Sequence, residues 1–275
     1  MSDERNKVVF TEAEFFGTDE IYKKIERDAR DLPENVKATA NDVIVETNKL
    51  QKTAGNILQQ TEADIEQGLI LGTDSKEEIH DKLDDAANKI KERANGYEES
   101  VVALLSELIL QNKIQGEKIE FLQKEIERAN RPLREKIAEA ASKAANVIWN
   151  TAQNVVSFVK DVGASCKDFA LGVVEHAKNT VNSMKDTVDK FLDEKVKTPI
   201  KETIQNLRDG VDNFKRGVAT MALTCQSKVI DAKDKCLEAI TKPLYHYVEM
   251  ANDKFEQHAH DKAEIEKRLE DLREK

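Results

Sequence analysis

Residues 196–240 read VKTPIKETIQNLRDGVDNFKRGVATMALTCQSKVIDAKDKCLEAI. Within them Val196, Leu207, Val218, Val229 and Ile240 recur every 11 residues, and Phe214, Cys225 and Cys236 form a second row at the same interval. Eleven residues over three turns is about 3.67 per turn, close to a straight helix, so the stripe does not wander around the rod. The same stretch also fits heptads through Ile204, Leu207, Val211, Phe214, Val218, Met221 and Cys225, until Lys228 breaks the seam. The heptad fit implies a partner helix. The 11-residue fit is compatible with a bundle or with a lipid surface.

Upstream, Ala144–Ala177 stands apart. It carries only Lys160, Asp161, Lys167, Asp168 and Glu175 as charges, and its other polar positions are Asn, Gln, Ser and Thr. A weakly charged polar face opposite bulky apolar side chains suits lipid-packing defects, where insertion rather than charge drives binding. It equally suits the central helix of a bundle. From this segment Val147, Ile148, Trp149, Val155, Phe158, Val162 and Phe169 are the candidate contacts for a lipid surface or a partner helix, joined by Leu207, Phe214, Val218 and Met221 from the 11-residue stretch.

The first half has seams of its own. Val36, Ala40, Val43, Thr47, Leu50, Ala54, Ile57 and Thr61 step by four and three, alternating with small residues that let helices approach closely. Ile79, Leu83, Ala86, Ile90, Ala94, Tyr97 and Val101 do the same. The run then thickens through Val102, Leu104, Leu105, Leu108, Ile109 and Leu110, a patch that needs either burial or a partner.

Composition agrees with long helices. Ten glycines and four prolines in 275 residues are less than half of average usage, roughly 12% together. Charged residues make up 35% and aromatics 5%, which excludes a β-sandwich and a Gly-rich nucleotide-binding fold. Read as helix starts, Pro33, Pro132 and Pro243 divide the chain into an N-terminal arm and short helix (1–32), a coiled-coil-like region (33–131), an 11-residue-repeat region (132–242) and a charged C-terminal helix (243–275). Pro199, with Thr198 as N-cap, starts another helix within the third region, and Asn95-Gly96 is a candidate break within the second. The clearest loop follows Gly68–Gly72, where Ser75 and Glu78 read as a capping box. The expected fold is all-α, an elongated bundle of long antiparallel amphipathic helices.

Catalytic chemistry has no visible seat. The chain lacks a phosphate-cradling Gly-rich loop and a Gly-x-Ser-x-Gly elbow. His258 and His260 point in different directions on a helix, and Glu77 with His80 is a single Glu-x-x-His, not the repeated pair of a di-iron bundle. The expectation is no enzyme, no metal, no cofactor and no small-molecule substrate. A net charge of −10 supplies no positive field for nucleic acid. The three cysteines, Cys166, Cys225 and Cys236, read as free buried thiols of a cytosolic protein. Cys225 and Cys236 lie 11 residues apart on one helix face, about 16 Å along the axis, too far to bridge. The sequence shows no signal peptide. Its longest charge-free stretch, Ala144–Val159, is shorter than the roughly 20 apolar residues of a membrane span.

The segment 141–240 resembles the exchangeable amphipathic-helix proteins, the perilipins and apolipoproteins. The likeness is carried by the row Val196–Ile240, by the phrases Thr180-Val181, Thr187-Val188 and Thr203-Ile204, and by the low-charge helix around Trp149. It is a likeness of style and carries no diagnostic motif. It implies a cytoplasmic, peripheral protein that coats or senses a lipid droplet or membrane, with Pro33–Ala129 serving self-association or recruitment. The alternative is a helical scaffold that binds only protein, either partner helices or itself.

Overall fold

The structure, a computed structural model, describes the backbone of residues 12–128, 131–193 and 199–273, and the side chains of 31–112, 151–193 and 199–242. Among the described residues the fold is all-α: α1 (Glu12–Leu71), α2 (Lys76–Arg128), α3 (Arg131–Asp193) and α4 (Ile200–Arg273), with no strand. Two expected helix starts are absent. Pro33 lies inside α1 and Pro243 lies inside the span of α4. Each removes one intrahelical hydrogen bond, but long apolar stripes on both sides outweigh that loss. For the same reason α2 runs unbroken through Asn95-Gly96. Residues 12–17, expected in an irregular arm, already belong to α1. The apolar Val8-Val9-Phe10 tip and Thr198 lie outside the described residues.

Helix ends obey local chemistry. Gly72 closes α1 at φ 68°, the left-handed region that favours glycine, and the Thr73 N–H donates to the Gly68 carbonyl at 3.1 Å. That is the glycine-terminated cap that satisfies the last carbonyls of a helix. Ser75 N–H donates to Glu78 Oε2 at 2.7 Å, and Glu78 N–H to Ser75 Oγ at 3.3 Å, so the capping box forms as read. At the start of α4 the Pro199 carbonyl accepts from Glu202 and Thr203.

The 11-residue interval governs all four helices, not only the last. The buried rows are Val36, Thr47, Leu58, Leu69 and Leu32, Val43, Ala54, Ile65 on α1; Ile79, Ile90, Val101, Asn112 and Leu83, Ala94, Leu105 on α2; Thr151, Val162, Val173, Met184 and Val155, Cys166, Ala177, Val188 on α3; and Leu207, Val218, Val229, Ile240 and Thr203, Phe214, Cys225, Cys236 on α4. This corrects the heptad seam expected at the end of α1. After Ala54 the core takes Leu58, Glu62, Ile65 and Leu69, leaving Ile57 and Thr61 half-buried. A strict seven-residue seam drifts around a straight helix, whereas an 11-residue one stays nearly in line. The patch after Val101 is split likewise: Leu105 and Leu108 are buried, while Val102 and Leu110 face outward.

The chain packs as two compact units. The first comprises Lys37–Ile109 and Val156–Asp234. Here α1 pairs antiparallel with α4 through Asn48–Gln226, Gln59–Lys215 and Glu66–Arg208. α2 pairs antiparallel with α3 through a ladder stepping four residues at a time: Asp84–Lys185 at 2.7 Å, His80–Asp189 at 2.8 Å and Lys76–Asp193 at 3.6 Å. With the tight α1–α2 turn this makes an up-down-up-down four-helix bundle. Each large apolar side chain in its core contributes about 1.5–3 kcal/mol, whereas exposed ion pairs of the ladder add little. The second unit holds the chain up to Val36, Leu110–Val155 and Lys235 onward. Its buried described side chains include Leu32, Asn112, Thr151, Cys236 and Ile240.

Candidate functional site

One level of the first unit is polar. Thr47 of α1, Tyr97 of α2, Cys166 of α3 and Cys225 of α4 meet there, all buried. Each occupies an inward position of its helix's 11-residue row, so the shared register is what brings four distant residues to one level. Thr47 Oγ1 donates its hydrogen to the Val43 carbonyl at 2.8 Å. It must therefore accept from the Tyr97 hydroxyl, which stands 3.0 Å away. The Tyr97 ring meets Phe169 edge-on, with centroids 5.6 Å apart. Across the layer Cys166 Sγ and Cys225 Sγ are 3.9 Å apart. Both are free thiols.

The layer sets the thiols apart chemically. The Cys166 S–H donates to Cys225, which pulls Cys225 below the ordinary thiol value despite its burial. That same hydrogen bond, reinforced by burial, pushes Cys166 up. Burial likewise pushes the Tyr97 phenol up, with the neighbouring Cys166 adding to the effect. Cys236, which belongs to the second unit, is pushed up to about 11 by burial alone. The arrangement offers one activated sulfur beside a second one, a pair suited to thiol chemistry.

Two further features line the same bundle. His176 stacks on Phe214, centroids 5.2 Å apart and 15° from parallel, with its Nε2 buried and unbonded against Gly217. A Cβ at 217 would land inside the imidazole, so glycine here lets α4 close on α3. On α1, Glu62 sits in the apolar seam at 8% exposure. Arg208 Nε stands 3.5 Å from its Oε1 but gives its short bonds, both 2.7 Å, to Glu66.

The predicted contact residues fall as follows. Val155, Phe158, Val162, Phe169, Leu207, Phe214 and Val218 are buried, and Met221 is half-buried against Gly172. The side chains of Val147, Ile148 and Trp149 lie outside the described residues. Phe158, Phe169, Phe214 and Val218 join one core within the first unit, while Val155 belongs to the second. Outside the core, Val45, Val102, Leu171 and Leu223 present apolar side chains to solvent, each more than half exposed. The thiol layer had only a partial sequence signal. The row Phe214, Cys225, Cys236 marks Cys225 as inward, but nothing along the chain pairs it with Cys166. Among the described residues no cluster of three or more His, Cys, Asp or Glu could hold a metal, and no helix is long and apolar enough to cross a membrane. Comparison with protein-family models, with curated proteins and with solved structures gives no match.

Proposed function

We propose that the chain is a non-enzymatic amphipathic-helix protein that binds a lipid surface, a droplet or a membrane, reversibly by opening its bundle. One observation carries this reading: a straight apolar stripe at the 11-residue interval on every helix. Such a stripe can exchange partner helices for a flat apolar surface without changing its own geometry. The exchange keeps large side chains out of water, so the hydrophobic contribution of about 1.5–3 kcal/mol each is retained on lipid. What opening costs is packing and interhelix hydrogen bonds. The core contains many small residues, including Ala40, Ala54, Ala94, Ala177 and Ala222, so the packing given up per turn is modest.

Flotation tests the reading. The intact chain is mixed with neutral liposomes or an emulsified oil and centrifuged through a density gradient. It is expected to rise with the lipid while keeping its helical circular dichroism. Protein left at the bottom with both lipids would sink the proposal. The second reading, a scaffold that binds protein or itself while its bundle stays closed, is favoured by the outward-facing Val102, Leu171 and Leu223. It predicts association between folded chains that lipid neither competes with nor promotes.

A further inference from the structure

The bundle contains a reactive pair that the lipid-surface reading does not use. We propose that Cys166 and Cys225 form a redox-responsive dithiol that hydrogen peroxide closes to an interhelix disulfide, tying α3 to α4. Four observations support it. The sulfurs are 3.9 Å apart on neighbouring helices of one compact unit. The helices approach closely on either side of the pair, because Gly172 faces Met221 and Gly217 faces His176 with no room for a Cβ. The Tyr97 hydroxyl reaches both sulfurs, so the layer already accommodates polar chemistry. Finally, Cys166 donates its proton toward Cys225, which makes Cys225 the nucleophile.

The chemistry balances in two steps. Cys225 loses its proton and its sulfur attacks one peroxide oxygen. The O–O bond breaks, hydroxide leaves, takes up that proton as water, and Cys225 becomes a sulfenic acid. Cys166 Sγ then attacks Cys225 Sγ. The S–S bond forms, the S–O bond breaks, and the departing hydroxide takes the Cys166 proton as a second water. Two thiols are oxidised by two electrons and one peroxide is reduced. Peroxide is water-sized and can enter through the local openings that helical cores undergo. Cys236 has no sulfur beside it among the described residues and serves as the internal reference.

Closing the pair joins residues 59 apart in sequence, a loop long enough to stabilise the folded bundle substantially. The expected rise in melting temperature is roughly 10 °C. A bundle tied between α3 and α4 also resists the opening that lipid binding requires, a consequence that rests on the function proposed above.

The test uses the full-length chain, treated with hydrogen peroxide, digested without reduction and mapped by mass spectrometry. The expected product is lighter by two hydrogens, with the Cys166 and Cys225 peptides joined, Cys236 free and a raised melting temperature that dithiothreitol reverses. Oxygen adducts alone, links through Cys236, or unmodified thiols would overturn the proposal. In parallel, reduced and oxidised protein are floated with neutral liposomes. Flotation of the reduced form alone supports the lock. Flotation of both overturns the lock while leaving the mapped disulfide standing. Flotation of neither removes the lipid-surface reading, and the mass map then decides the dithiol by itself. Cys225→Ser should abolish the cross-link, and Cys236→Ser should leave it intact.

Discussion

Glu62 occupies a seam position of α1 that an apolar residue would fill better. Its carboxyl is held above the ordinary value of 4.5, first by burial and then by the neighbouring Glu66, with Arg208 offsetting part of the effect. A carboxyl raised on folding favours the fold while protonated. That contribution is present below pH 4.5 and disappears as pH rises through the folded value. At neutral pH the buried charge is therefore a cost. Glu62→Gln should raise the melting temperature at pH 7 by roughly 2–4 °C, the equivalent of about 1 kcal/mol, and the gain should shrink below pH 4.5. Thermal melts of the two proteins across pH check both parts. Asp189 behaves oppositely. Slight burial would raise its carboxyl, but bonds from Lys76 and His80 hold it below the ordinary value, so its contribution is lost only as pH falls into the acid range. In the polar layer, Tyr97→Phe strips Thr47 of its donor and should cost about 1 kcal/mol. Combining it with Thr47→Val should cost less than the sum of the two single changes, a coupling measurable by denaturant titration.

The helices were largely legible from the chain, and the places where they were not share a cause. The α2 seam Ile79–Val101 and the Ser75–Glu78 capping box are set by local spacing and side-chain chemistry, and both form as read. The two internal prolines were misleading because a punctuation rule weighs one residue, whereas a helix of 60 or 74 residues is held by its whole stripe. Ile57 and Thr61 were misplaced because heptads and 11-residue repeats agree over the first few turns and diverge only afterwards. The thiol layer was hidden because register between helices, unlike spacing within one, is not written locally. Glycines sort by the same logic. Gly96 has open space where a Cβ would go, so Gly96→Ala should stabilise α2 by about 0.5–1 kcal/mol. Gly217→Ala should destabilise, since the new methyl meets the His176 ring. Adding His176→Ala should recover much of that loss, as paired thermal melts would reveal.

At the scale of the molecule, four stripes with one interval permit two states of the same helices. In water they cover one another. Against lipid each could be covered by the surface while its outward charges stay wet. The seven candidate contacts found buried fit both states, because closing the bundle and meeting lipid use the same side chains. The most direct measurement is the distance between spin labels placed at the exposed positions 60 on α1 and 213 on α4, in a chain whose native cysteines are replaced by serine. The account predicts a short distance in buffer, set by the antiparallel α1–α4 pair, that lengthens by tens of ångströms in protein recovered with neutral liposomes. A short distance that persists in the lipid-bound fraction would contradict it.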